Sequence, residues 1–201
     1  MGNLNTLPEN LPEPIDDGAC SHLLGIKLPE VCLPSTSGTL IDLSFVSGRL
    51  VLYFYPMTGK PGVSLPDGWD QIPGARGCTP QSCSFRDHYA ELQALDTSIF
   101  GVSTQDTEYQ KEAAERLHLP FDLLSDAKHE LAKALSLPML EVEGKQLIKR
   151  LTLVIESGEI VKVFYPVFPP DQNADDVINW LKQSRYNSSL NTDGHADRGL
   201  A

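Results

Sequence analysis

Six consecutive apolar residues, Leu50-Val51-Leu52-Tyr53-Phe54-Tyr55, constrain this chain more than any other segment. The run has strand length and no polar face, so it predicts a strand covered on both sides. The pattern around it alternates between strand and helix. Residues 39–43 and 99–103 read as strands, and Phe85, Tyr89, Leu92 and Leu95 fall at helical spacing. Tyr109, Ala113 and Leu117 mark another helix, and Leu131, Ala134 and Leu135 a short one. Residues 147–155 and 159–164 flank Ser157-Gly158, a hairpin turn. Val177, Ile178 and Leu181 form a last helix, with Asp175 and Asp176 in its favourable first turn. Together these predict an α/β domain with a mixed central sheet flanked by helices. Catalytic groups in such folds gather at the C-terminal ends of the central strands, which directs attention to the segment after Tyr55.

With 201 residues the chain is long enough for one domain with a substantial core. Residues 1–22 read as an extended lead-in, residues 23–185 as the folded domain, and residues 186–201 as a disordered tail. A formal charge of −11 argues against nucleic acid as a partner. No stretch approaches the roughly 20 apolar residues of a membrane span, so no membrane partner is expected. The N-terminus lacks the basic and apolar regions of a secretory signal, although Gly2 and Thr6 fit the loose pattern for N-myristoylation. The four cysteines, at 20, 32, 78 and 83, suit a reducing cytoplasm and a catalytic pair better than a disulfide scaffold. Cys20 falls in the lead-in, and Cys32, between Val31 and Leu33, is expected to pack as a small hydrophobe.

The chemistry concentrates in Gly77-Cys78-Thr79-Pro80-Gln81-Ser82-Cys83-Ser84-Phe85-Arg86-Asp87. Thr79 suits an N-cap and Pro80 a first helical position, so Cys78 sits at a helix start. Unpaired amides and the helix dipole there favour a thiolate, the nucleophilic form of cysteine, and Arg76 lies nearby. Two cysteines five residues apart in one α-helix have Cα atoms about 7.5 Å apart along the axis and side chains roughly 140° apart. A disulfide rarely spans more than about 6.8 Å, so closing this pair requires the first turn to unwind. On spacing alone, two structural cysteines remain an open alternative. A zinc site is not expected, because the pair lacks a second ligand pair and His88 lies on the same helix without a matching partner.

Residues 51–56 (VLYFYP), the 77–87 segment, Gly101-Val102-Ser103, residues 119–126 (LPFDLLSD) and residues 149–155 (KRLTLVI) resemble the peroxiredoxins. The likeness is to their Q type, also called bacterioferritin comigratory protein-like, and spans residues 25–184. It implies a thioredoxin-like fold with Cys78 as peroxidatic and Cys83 as resolving cysteine. It also implies an active-site arginine at Arg150, whose fixed charge favours the thiolate and can hold peroxide oxygens. The substrates implied are hydrogen peroxide and organic hydroperoxides, and the implied reductant is a thioredoxin-type dithiol protein. No metal or organic cofactor is required, and a monomer is favoured over a dimer.

The chain departs from the family's Pro-x3-Thr-x2-Cys motif. The threonine position is Ala75 and the proline position Gln71; Pro56 instead precedes Cys78 by 22 residues, 15 more than the motif spans. Residues 57–76 therefore hold an insertion. Either Thr58 supplies the missing hydroxyl, or backbone amides near Gly77 and Cys78 do that work. Pro56, Thr58 and Gly77 are thus candidate substrate-binding residues. Within the insertion, Trp69 either covers the site or anchors a surface loop. Two other classes stay open: a thiol-disulfide oxidoreductase, whose cysteines are usually two residues apart, and a redox sensor without turnover.

Overall fold

The structure, a computed structural model, describes residue 4 and residues 6–193. Its strands are β1 (Cys32–Pro34), β2 (Leu40–Asp42), β3 (Arg49–Phe54), β4 (Thr97–Ser103), β5 (Leu123–Ser125), β6 (Met139–Val142), β7 (Lys145–Ile148), β8 (Leu151–Glu156) and β9 (Glu159–Phe164). Its helices are α1 (Cys78–Asp87), α2 (Tyr89–Ala94), α3 (Thr107–Arg116), α4 (Glu130–Ala134) and α5 (Asn173–Asp193). The central sheet has the order β5-β4-β3-β8-β9. β3, β4 and β5 run parallel, whereas β8 is antiparallel to β3 and β9 to β8.

β3 is the middle of this sheet, and residues 50–55 are all fully buried. Side chains alternate across a strand, so Leu50, Leu52 and Phe54 face one core and Val51, Tyr53 and Tyr55 the other. The first core receives Leu131 and Ala132 of α4 together with Cys20, Leu23, Leu28 and Leu33. The second receives Phe85 of α1, Leu92 of α2, Ala113 of α3 and Val177, Ile178 and Leu181 of α5. The apolar run thus dictates a layer on each face, as its composition requires. Ser157 and Gly158 both have positive φ and turn β8 into β9, as their sequence predicts.

Several expectations are corrected. The strand expected over 147–155 is two strands, β7 and β8, broken at Lys149 and Arg150. β7 pairs with β6 about a Glu143-Gly144 turn in which both residues have positive φ. The helix expected around residues 85–95 breaks at His88 into α1 and α2. α5 continues to Asp193, past Tyr186, where a disordered tail was expected. No glycine or proline follows in the helix until Gly194, so each added residue still closes one bond. The rest of that tail, 194–201, lies outside the described residues, as does Gly2 of the lipidation pattern.

The roles expected of Cys20 and Cys32 are exchanged. β1 points Leu33 inward, which turns its neighbour Cys32 out to solvent. Cys20 is 5% exposed and packs in the core beside Leu23, and burial pushes its thiol up to about 12. Among the described residues no helix is long and apolar enough to cross a membrane.

The segment expected as an insertion, residues 57–76, contributes to a third, smaller core. Trp69 is 3% exposed and packs with Ala75, Val142 and Leu147, flanked by Leu65, Ile72 and Leu140. The tryptophan is therefore an anchor that clamps residues 57–76 onto the β6–β7 hairpin. Trp69→Ala should lower stability by about 3–5 kcal/mol, as expected for truncating a large buried aromatic. Urea denaturation followed by circular dichroism measures this, and a loss below about 1 kcal/mol would contradict the clamp.

Candidate active site

β3 ends at the centre of the sheet, and the chain returns to that point at Gly77 to begin α1. Gly77 has φ 107° and is the N-cap. A Cβ there would lie 2.2 Å from Cγ of Pro170 and 2.9 Å from Cδ2 of Leu7, so glycine alone fits. The cap was expected at Thr79, with Pro80 first in the helix. Instead Cys78 is the first helical residue, and the first helical bond runs from the Gln81 amide to the Gly77 carbonyl at 3.0 Å. Pro80 is tolerated because amides of the first turn have no intrahelical acceptor anyway.

Cys78 is 3% exposed. Its thiol donates to the Ala75 carbonyl at 3.5 Å. Arg150, from far along the chain, reaches the same sulfur. The antiparallel register pairs Phe54 with Leu151, which sets the residue before β8 beside the end of β3. The break between β7 and β8 frees Arg150 to turn inward. Its Nη2 donates at 3.2 Å to Cys78 Sγ, at 3.0 Å to the Ala75 carbonyl and at 3.1 Å to the Arg76 carbonyl. Its Nη1 donates to Gln81 Oε1. Its Nε is buried and has no partner among the described residues. A cationic fork and the mouth of a helix therefore meet at one sulfur, an arrangement that stabilises negative charge on it.

A buried polar chain fixes these groups. Gln81 Nε2 donates to Asn173 Oδ1 at 2.9 Å, and the Thr152 hydroxyl donates to the same oxygen at 2.7 Å. Arg150, α1, β8 and the start of α5 are thereby joined. A second restraint comes from β3. The Tyr53 hydroxyl donates to Ser82 Oγ at 3.0 Å, and its ring stacks on Phe85 with centroids 4.7 Å apart. Gly101 makes room for that ring, since a Cβ there would lie 2.5 Å from Tyr53.

Cys83 lies on the same helix, half-buried and unpaired. Burial pushes its thiol up, partly offset by nearby Arg86. Both cysteines belong to the intact α1, so helical rise holds their Cα atoms about 7.5 Å apart along the axis.

The structure brings Cys78, Gly77 and Arg150 together. Pro56 shares with Arg150 the lining of a cavity of about 230 Å³, which Gly77 and Cys78 do not line. Thr58 is buried elsewhere in its interactions. Its amide donates to Gln105 Oε1 at 2.8 Å, its hydroxyl donates to the same oxygen at 3.2 Å, and its carbonyl accepts from Gln105 Nε2 at 3.1 Å. At the family's threonine position, the backbone carbonyl of Ala75 touches both Arg150 and Cys78. Arg76 is 8% exposed and pairs with Asp70 at 3.6 Å. Gln81 and Asn173 were not singled out from sequence. Gln81 was within reach, because it stands three residues after Cys78 on the same helix face. Asn173 carried no local signal.

A mixed sheet with a cysteine at the head of the helix after its central strand, an arginine on that sulfur and a second cysteine five residues on defines a thiol-dependent redox site. The Redoxin family model matches residues 23–178. Peroxiredoxin Bcp of Bacillus subtilis is 33% identical over 157 residues, 76% of this chain and 90% of that protein. Peroxiredoxin bcp1 of Schizosaccharomyces pombe is 33% identical over 132 residues, 64% of this chain, but the chain spans only 60% of that relative's length. Among solved structures, Peroxidoxin BcpB from Mycobacterium tuberculosis superposes with a TM-score of 0.66 at 29% identity, over 80% of this chain and 96% of that one. The chain belongs to the redoxin family, within its peroxiredoxins of the Bcp and Q kind, and has their thioredoxin-like fold.

Gly77→Ala should cost about 3 kcal/mol or more, because left-handed strain adds to a clash with Pro170. Gly144→Ala, where φ is 75° but nothing lies within 4 Å of the Cβ position, should cost about 1 kcal/mol from strain alone. Thermal or urea unfolding of the two variants side by side checks the difference, and equal losses would contradict the close approach over Gly77.

Proposed function

We propose that this protein reduces hydrogen peroxide and organic hydroperoxides through Cys78. The observation that carries the reading is the 3.2 Å contact of Arg150 Nη2 with Cys78 Sγ at the mouth of the helix that also bears Cys83. The Cys78 thiolate attacks the terminal peroxide oxygen. The O–O bond breaks, an S–O bond forms, and the departing oxygen leaves as an alcohol or water after taking up a proton. Charge moves onto that oxygen in the transition state, where the Arg150 fork is the available cation. Cys78 is left as a sulfenic acid. The first turn of α1 then unwinds, Cys83 displaces water from the sulfenic acid, and a disulfide forms. A thioredoxin-type dithiol reduces that bond by exchange, itself becoming oxidised. The four free cysteines suit a reducing compartment such as the cytoplasm.

Mass spectrometry of the protein after one equivalent of peroxide tests the assignment. The wild type should lose two hydrogens, and Cys83→Ser should stop at the sulfenic acid or its overoxidised forms. Cys78→Ser should not react quickly. Rapid oxidation of Cys78→Ser would overturn the reading.

Arg150→Met should slow oxidation of Cys78 by about 100-fold, the usual loss on removing a donor from a developing oxyanion. Stopped-flow measurement of the second-order rate constant checks this. A change below about threefold would remove Arg150 from the reaction.

A further inference from the structure

The lead-in lies on the domain as a strap. It carries Pro8, Pro12 and Pro14, and its described residues form neither helix nor strand. Three of its side chains come to rest on glycines of the segment that leads into α1. Leu4 lies over Gly59, where a Cβ would be 2.8 Å from Leu4 Cδ2. Leu7 lies over Gly77 at 2.9 Å, and Pro14 over Gly74 at 3.5 Å. Asp17 fastens the far end. Its carboxylate accepts from Lys149 Nζ at 2.8 Å and from the Tyr165 hydroxyl at 2.8 Å. Those bonds hold the Asp17 carboxyl down at about 2, so it is ionised at any working pH. The Redoxin match begins at residue 23, so the strap lies outside the matched family segment.

The seat that matters is Gly77. It is the N-cap of α1, it directly precedes Cys78, and its carbonyl accepts the first helical bond. Leu7 shares the space over it with Pro170. Such a seat has little slack, because a gap of about 0.5–1 Å forfeits a quarter to a half of a dispersion contact. The intact helix holds the two cysteine Cα atoms about 7.5 Å apart along its axis, whereas disulfides favour about 5.5–6 Å. Joining the pair therefore closes the Cα atoms by about 2 Å or more. Phe85, beyond Cys83, is fully buried in the core, so the movement falls on the end that bears Gly77 and Cys78. A displacement of that size takes Gly77 out from under Leu7.

We propose that residues 4–17 are a redox-responsive latch, seated on Gly77 in the reduced protein and released when Cys78 and Cys83 join. The inference rests on the proposed pairing of those two cysteines. Coupling of this kind is reciprocal: if opening the turn unseats Leu7, a seated Leu7 opposes the opening. The latch therefore slows the resolving step. It leaves the attack of Cys78 on peroxide unchanged, because that step takes place with the helix closed. Leu7 and Asp17 touch no reacting atom. Leu7 acts through Gly77, and Asp17 acts by keeping the strap anchored.

The test compares the full chain when reduced and when oxidised with diamide, which takes up the two thiol hydrogens as the disulfide forms. Peptide masses confirm the Cys78–Cys83 bond. A glutamate-specific protease then cuts between Glu9 and Asn10, just beyond Leu7. Cleavage tracks the population of lifted strap, and it should be about tenfold faster in the disulfide form. Leu7→Ser should bring the reduced chain to within about threefold of that faster rate, the scale of losing one partly buried leucine. Asp17→Ala should shift it in the same direction. Both side chains lie outside the three cores, so the domain folds without them. In rapid-quench experiments with peroxide, Leu7→Ser should form the disulfide about fivefold faster, while oxidation of Cys78 stays within about twofold. Equal cleavage of the reduced and disulfide forms of the wild type would overturn the latch, as would a resolving step that Leu7→Ser leaves unchanged or slows. If diamide cannot join Cys78 to Cys83, the pairing fails and the latch with it. A chain that forms the bond and releases the strap, yet leaves peroxide untouched, would overturn the peroxidase reading alone.

Discussion

A guanidinium with 3% of its surface exposed must find acceptors for its donors inside the protein, and Arg150 organises the site around that requirement. Two backbone carbonyls, Ala75 and Arg76, one side-chain amide, Gln81, and one sulfur, Cys78, supply them. No carboxylate is among these partners. The positive charge is therefore solvated by dipoles and left uncompensated at the sulfur, where an anion would complete it. A carboxylate partner would have satisfied the arginine more fully and made it useless to the thiol. Removing one partner of a buried charge typically costs about 3–5 kcal/mol, so the surrounding elements are bound to this residue as much as it is to them.

The same helix has to be well held and yet able to open. Tyr53 holds Ser82 and stacks on Phe85, and Gln81 is held by Asn173. Those restraints act from Gln81 onward. The turn that carries Cys78 is held by the helix's own backbone bonds, the first from Gln81 to Gly77, and by the contacts of Arg150. Fraying this turn gives up a few neutral hydrogen bonds, about 1 kcal/mol net each, and the Arg150 contact with Cys78, less than unfolding the domain. On the proposed reaction the moving part is the N-terminal turn, while the end bearing Phe85 stays packed in the core. A half-buried Cys83 suits that division, because the buried thiol is kept protonated until the helix loosens around it.

Much of the fold was legible because one strand carries both cores. The unbroken apolar stretch of β3 required layers on both faces, and the helical spacings of Tyr109, Ala113 and Leu117 or of Val177, Ile178 and Leu181 located them. What was missed follows from short-range ambiguity. β7 and β8 read as one strand because Lys149 and Arg150 interrupt the hydrophobic pattern no more than a strand end would, yet that break turns the arginine inward. Cys32 lies between two apolar neighbours, and a three-residue strand decides which of them faces inward only once β1 meets β2. The C-x4-C spacing at a helix start marked Cys78 and Cys83 as a candidate pair but left two structural cysteines open, and the family likeness chose between them. Arg150 was legible only through family likeness, because a strand-end arginine is ordinarily a surface charge. Asn173 was not legible at all, since it contributes through long-range pairing with Gln81 of α1 and Thr152 of β8.

Residues 57–76, expected as an insertion, bear on how the proposed site would work with an altered motif. Where relatives place a threonine, this chain has Ala75, fully buried. Residues 66–75 form a run of turns in which Trp69 bonds back to Pro66, Ile72 to Trp69 and Ala75 to Ile72. Each turn is fixed by the one before it, and Trp69 pins the run in its own small core. Its end point is the Ala75 carbonyl, presented to Arg150 and to the Cys78 thiol. A rotatable hydroxyl can both donate and accept, whereas a carbonyl only accepts. It can orient the arginine and hold the thiol proton, but it cannot donate to a peroxide oxygen. On the proposed reaction, donation then comes from the arginine fork and from backbone amides at the head of α1. On that reading, residues 57–76 concentrate on Arg150 a task that a threonine would share, and the position of that one guanidinium governs the rest of the site.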